Sequence, residues 1–194
     1  MSNVFIINAH QEYPFSKGKL NASLVERAKN ILFDKGHQVR VVTMKDNIVM
    51  KEQLDNFTWA NTVIVQSPVN WMSMPWSFKK YMDDVFSAGM MGKLCMYDGR
   101  TAQGPKQGYG TGGKKNNANY MLSLTLNAPK EAFDDTNEYL FEGKSLDDLM
   151  LPMHANFRFF AMKALPTFAC YDVMKNPEIE NDFKRFDAHL NAHF

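Results

Sequence analysis

Cysteine is nearly missing from this chain: Cys95 and Cys170 are the only two in 194 residues. They stand far apart and form no C-x-x-C pair, which excludes a disulfide scaffold and a cysteine-built zinc site. Two unpaired thiols suit a reducing, cytoplasmic setting, and no residue pattern marks a metal site. Long apolar runs are missing too. None approaches the ~18 residues a bilayer span needs, so no transmembrane segment is expected. The opening MSNVFIINAH has no basic stretch and a short apolar run, a poor secretory signal and a good strand. Finally, no charge sign prevails, with 22 Lys and Arg against 21 Asp and Glu. That balance argues against nucleic acid as a partner and against the strongly acidic docking face of a one-electron carrier protein.

What is present is apolar residues at 45% of the chain, enough for one domain over residues 1–194 to bury a core unaided. Val4-Phe5-Ile6-Ile7 is an unbroken apolar run of the kind found in strands covered on both faces. Leu20, Leu24, Ala28, Ile31 and Leu32 recur at helical spacing up to Lys35, with Gly36 placed as a C-terminal cap. Further strands are expected at Gln38–Thr43, nearer a sheet edge, at Thr62–Val65, at Tyr120–Leu126 and at Pro166–Cys170. Between them the pattern predicts helices over Glu52–Trp59, from Pro75 in a first turn to Gly89, over residues 145–161, and after Pro177. Alternating strands and helices imply an α/β fold. The order suits a flavodoxin-like doubly wound parallel sheet of five strands, 2-1-3-4-5, with helices on both faces. Ligands of such a sheet lie beyond the carboxyl ends of the strands, where strands 1 and 3 diverge.

The glycine-rich segment Gly108-Tyr-Gly-Thr-Gly-Gly113 matches G-x-G-x-x-G, and Gly108 to Lys114 matches most of a Walker pattern. Both motifs need a strand before and a helix after, so that helix amides face a phosphate. Here loop precedes and strand follows, and Lys115 stands where a magnesium-binding Ser or Thr belongs. A surface loop, or a wall whose Tyr109 reaches into a site, fits better.

Three other loops carry complementary chemistry. Ser16-Lys-Gly-Lys-Leu-Asn-Ala-Ser23 leads into the first helix with two ammonium groups, and Ser16, Asn21 and Ser23 are candidates to hydrogen-bond a phosphate or to cap the helix. Pro68-Val-Asn-Trp-Met72 follows strand 3 with a stiff, broad and polarizable surface, suited to a flat ring or to plain core packing. Thr125-Leu-Asn-Ala128 follows strand 4 and offers Asn127 as a polar edge. Phosphate grip, ring wall and polar edge together describe a flavin site. His154, in Pro152-Met-His-Ala-Asn-Phe157, is a candidate proton donor or orienting group, although a histidine among helical apolar residues is more often structural.

The chain also resembles the flavodoxin-like NAD(P)H:quinone reductases of the modulator-of-drug-activity B type, over nearly its whole length. The resemblance rests on Ser16-x-Gly18-x-Leu20-Asn21, Pro75-Trp76 with Lys79-Lys80-Tyr81 and Asp83, Asp98-Gly99-Arg100, and Tyr109-Gly110-x-Gly112-Gly113. It continues in Tyr120-Met-Leu-Ser123, Asn127-Ala-Pro129-x-Glu131-Ala-Phe133 and Leu165-Pro-Thr-Phe168. It implies a homodimer binding FAD, with FMN the lesser candidate, and reducing quinones by two electrons from NADPH in a ping-pong cycle. Carried over, the cofactor contacts fall on Ser16, Gly18, Leu20, Asn21 and Ser23, on Pro68, Val69, Asn70, Trp71 and Met72, on Tyr109, and on Thr125, Leu126, Asn127 and Ala128. Tyr109 and His154 are the catalytic candidates. The chain departs from the family's pattern at Asn70 and Leu126, both beside the expected ring. Two other roles share such a site: a regulatory flavin-binding subunit of a potassium-efflux system, and an FMN-dependent azo- or nitroreductase.

Overall fold

The computed structural model describes residues 1–194. β1 (Asn3–Asn8) is flanked by β2 (Gln38–Thr43) on one side and β3 (Thr62–Pro68) on the other, with β4 (Asn119–Thr125) beyond β3, all parallel. The order is β2-β1-β3-β4-β5, as the pattern implied, and β2 is the exposed edge. Because alternate residues face opposite ways, each strand feeds two cores. Phe5, Ile7, Val63, Val65, Leu122 and Leu124 pack under α2 (Met50–Trp59), α3 (Trp76–Gly89) and α5 (Leu151–Phe159). Val4, Ile6, Ile64 and Met121 pack under α1 (Lys19–Asp34) and α6 (Ile179–His193).

α1 buries Leu24, Val25, Ala28 and Leu32, and it stops where the sequence said it would. Gly36, at φ 82°, donates to Phe33 O at 2.8 Å while His37 N donates to Leu32 O at 2.9 Å, the paired bonds of a Schellman cap. Pro75 lies one residue outside α3, at its N-cap, rather than in the first turn.

Two expected elements are divided. The helix expected over residues 145–161 is α4 (Leu146–Leu149) and then α5, joined at Met150. Pro152 has no N–H to continue the first helix but costs nothing in the first turn of a second. The fifth strand is likewise two pieces, β5 (Lys163–Ala164) and β6 (Phe168–Cys170), each paired to β4. Leu165 N still reaches Tyr120 O at 2.7 Å, but Pro166 cannot donate and the ladder breaks there. The outer side of this edge is sealed by side chains from α6: Arg185 donates to Ala169 O at 2.9 Å, and His189 to Pro166 O at 3.0 Å.

The glycine-rich loop is explained by close backbone packing. A Cβ on Gly112 would lie 2.6 Å from Met96 O, and one on Gly113 2.3 Å from the Phe160 carbonyl carbon. Lys115, in the Walker position, instead donates to Thr58 O at 3.0 Å and Ala60 O at 3.1 Å, closing the carboxyl end of α2.

Candidate functional site

At the divergence of β1 and β3 the chain leaves both strands in short two-residue hairpins. Tyr13 and Ser16 exchange backbone bonds of 3.0 and 2.9 Å around Pro14-Phe15; Asn70 and Ser73 exchange bonds of 2.8 and 3.1 Å around Trp71-Met72. Each throws an aromatic ring outward, Phe15 at 80% exposure and Trp71 at 96%. The second hairpin is strained, for Trp71 (φ 47°) and Met72 (φ 64°) both take the left-handed conformation that Asn-Gly normally supplies.

Beyond the first hairpin, Gly18 (φ 72°) is the N-cap of α1, with no side-chain cap and no acid in the first turn. The first backbone bond is Ala22 N to Gly18 O at 2.9 Å, leaving the N–H groups of Lys19, Leu20 and Asn21 without a protein acceptor. Free amides, the positive helix end and the ammonium groups of Lys17 and Lys19 make an anion site. Only Lys17 has a carboxylate partner, Glu12 at 3.2 Å. His10, passed over by sequence reasoning, props this turn from below. Its Nε2 donates to Ser16 O at 3.2 Å, and its ring fills the space a Cβ on Gly18 would take, 2.2 Å away. Burial pushes its pKa down, so the imidazole is held neutral, with Nδ1 buried and unpartnered. The signal available was its place two residues after β1, at the carboxyl edge where ligands bind.

The exits of β3, β4 and β6 are laced together by backbone bonds: Val69 N to Thr125 O at 2.9 Å, Leu126 N to Cys170 O at 2.9 Å and Val173 N to Leu126 O at 3.0 Å. Two adjoining cavities open on this edge and share Val69 and Asn127. One, about 480 Å³, holds the anion site and is lined by Ser16, Gly18, Leu20 and Asn21, by Pro68, Val69 and Asn70, and by Thr125 and Asn127. The other, about 510 Å³, is mostly apolar and takes Val69, Trp71, Met72, Leu126, Asn127 and Ala128 from the expected set. Its far wall was not foreseen: Leu140 and Phe141 from the segment after β4, with Asp172 and Lys175 after β6.

Four expected residues are placed otherwise. Asn21 turns its amide inward, accepting from Gln66 Nε2 at 2.9 Å and donating to Thr125 Oγ1 at 3.2 Å, so its side chain is neither a cap nor free for phosphate. Ser23 lies exposed on the second turn of α1 and lines neither cavity. Tyr109 meets Phe159 of α5 edge-on, ring centroids 5.8 Å apart, with the Arg100 guanidinium 5.4 Å from its ring, and lines a separate shallow cleft. His154 is buried: Nδ1 meets Tyr120 Oη at 2.8 Å and Nε2 meets Asp147 Oδ1 at 3.2 Å. Tyr120 is at the other end of β4 from Thr125, so this histidine is a core residue with both nitrogens engaged and takes no part in either cavity.

The residues fit a flavin nucleotide, with free amides and lysines for its phosphate and an apolar slot for its ring. Comparison with known proteins agrees. A family model described as flavodoxin-like fold matches residues 2–194. The NADPH:quinone oxidoreductase MdaB of Haemophilus influenzae is 38% identical over 192 residues, 99% of each chain. Among solved structures, a Klebsiella pneumoniae protein assigned to the quinone reductases superposes with a TM-score of 0.73 at 21% identity, covering 99% of this chain and 83% of its own. An FMN-dependent NADH-azoreductase of Bacillus anthracis, in complex with FMN, gives 0.67 at 14%, covering 99% of both. The chain belongs to the flavodoxin-like family and, within it, to the group of the MdaB-type NADPH:quinone oxidoreductases.

Proposed function

We propose that this chain is a flavin-dependent NAD(P)H:quinone oxidoreductase. One observation carries the reading: an uncapped helix end with three free amides opens beside an apolar slot at the switch point of the sheet. The amides of Lys19, Leu20 and Asn21 with Lys17 and Lys19 hold the phosphate, while Val69, Trp71 and Met72 flank the ring and Asn127 meets its polar edge. Two-electron hydride transfer from NAD(P)H to a quinone, in a ping-pong cycle, is the chemistry the flavin supplies. The protein's part is to orient the ring and exclude water, and the lining of Leu126, Ala128, Ala132, Leu140 and Phe141 suits flat apolar acceptors.

FAD is the cofactor the resemblance implies, and Phe15, Lys17, Met174 and Ile179, which also line the phosphate-end cavity, would flank its nucleotide. FMN is the better supported of the two, through the FMN complexes of structural neighbours. NADPH preference follows the naming of the Haemophilus relative. A homodimer is in keeping with Phe15, Trp71 and Leu140, large apolar side chains left exposed around the cleft. No helix is long and apolar enough to cross a membrane.

The test is to release the cofactor from purified protein, identify it by mass, and follow NADPH and NADH oxidation with menadione. Bound flavin with faster NADPH turnover is the expected result. Flavin held without turnover would instead favour the regulatory role, and protein that takes up neither flavin ends both readings.

A further inference from the structure

Gln66 is out of place by composition. It sits in β3 on the same face as Ile64, which packs in the α1/α6 core, and it is only 1% exposed. A buried amide is costly unless every polar atom finds a partner, and here a chain of partners exists. Ser123 Oγ donates to Gln66 Oε1 at 2.7 Å, Gln66 Nε2 donates to Asn21 Oδ1 at 2.9 Å, and Asn21 Nδ2 donates to Thr125 Oγ1 at 3.2 Å. All four residues are 5% exposed or less.

The chain has a direction. The three shorter bonds all point from Ser123 toward Thr125, so the Thr125 oxygen is an acceptor and its own proton has only a marginal partner in the protein. That partner is Asn21 Oδ1, 3.5 Å away, well beyond the usual length of an O–H···O bond and shared with Gln66 Nε2, so a better-placed acceptor in the cavity would draw the proton to itself. Thr125 lines the cavity at the phosphate end. Apolar groups of the same shape would hold the fold as well, so the polar chain is explained by what it delivers at its end. We propose that Gln66 is a positioning residue of the flavin site. Acting through Asn21, it aims the Thr125 hydroxyl into the cavity as a hydrogen-bond donor to an acceptor oxygen of the bound flavin. The proposal rests on the flavin reading above.

A double-mutant cycle on flavin affinity tests it, with FAD and FMN each titrated into flavin-stripped protein and binding read from quenching of flavin fluorescence. Gln66→Leu and Thr125→Val should each weaken binding about tenfold, and the double variant should be no weaker than the poorer single, because both remove one donor. Losses that multiply, or a Gln66→Leu protein of lowered melting temperature and unchanged affinity, would overturn the relay and leave Gln66 a purely structural residue. Ser123→Ala, a small change outside the cavity, covers the case in which Gln66→Leu does not fold. Losing the proton that fixes Gln66 should weaken flavin about threefold, and unaltered affinity counts against the proposal. Gln66→Glu adds a pH readout. A protonated carboxyl donates to Asn21 as the amide does, whereas the ionised form only accepts and turns Asn21 around. Affinity should therefore be near normal in acid and fall as the pH rises; a flat profile overturns the directional claim. Failure of the unaltered protein to bind either flavin would sink the flavin reading itself, and needs no variant to be seen.

Discussion

Gly18 is where a single atom decides the site. Its φ of 72° already penalises any L side chain by about 1–2 kcal/mol, and an added Cβ would lie 2.2 Å from the His10 ring. Gly18→Ala should lower stability in urea by roughly 2 kcal/mol or more and weaken flavin binding at least tenfold. His10→Ala in the same protein should restore part of both, because the obstructing ring is gone; strictly additive losses would show that the two do not collide. Trp71 and Met72 present the opposite case, strain retained for a purpose. Replacing them by Asn and Gly, the residues their turn prefers, should raise stability by about 1 kcal/mol, because two left-handed non-glycines are relieved. Flavin retention should fall about tenfold, as the ring loses its wall; an unchanged affinity would place that wall elsewhere. His154→Ala should do the converse. The buried Tyr120 hydroxyl loses its partner and the exposed Asp147 carboxylate one of its two, so stability drops by about 1–3 kcal/mol while turnover per bound flavin holds. A large fall in kcat with intact stability would return this histidine to the catalytic list.

The elements show where a sequence speaks plainly and where it is silent. β1, α1 and the Schellman cap at Gly36 were legible because each is written in adjacent residues: an apolar run, a helical period, a glycine at the end. The division of the expected 145–161 helix was also written, in Pro152, but its apolar period runs through the break and hides it. Lys115 could not be read at all, since its acceptors lie 57 and 55 residues earlier in the chain. Its ammonium closes the end of α2, where Thr58 and Ala60 carbonyls would otherwise lack a donor, and burial lowers its pKa. Lys115→Met keeps the length and apolar stem but removes the donor. It should cost about 1–2 kcal/mol, with amide exchange quickening first in α2. Equal quickening throughout the chain would mean that the lysine holds the loop rather than the helix.

Across the whole molecule the site was legible as a location and only partly as a list. The alternation of strands and helices places the ligand edge, and the loops after β1, β3 and β4 do converge there, because the parallel order forces their carboxyl ends together. The wall after β6, and the inward turn of Asn21, depend on contacts between distant segments, 45 and 104 residues apart for the two bonds of Asn21, which no local pattern records. That same convergence predicts how the protein should respond to its ligand. The β3, β4 and β6 exits are bound to one another by backbone, whereas the β1 exit is joined to them by Ala9 N to Gln66 O, at 2.8 Å, and by the Asn21 side chain. A flavin held at both ends bridges these two groups and binds only the folded form. At a hundred times its dissociation constant it adds about 2.7 kcal/mol, which for a chain of this size raises the melting temperature by about 5–10 °C. Stripping the flavin should lower the transition by that amount, and adding back FAD or FMN should recover it. Menadione alone should shift it far less, since it meets only the apolar cavity. A melting temperature indifferent to both flavins at millimolar concentration would mean that the two groups of loops are not joined through a shared ligand, and the flavin site would have to be given up.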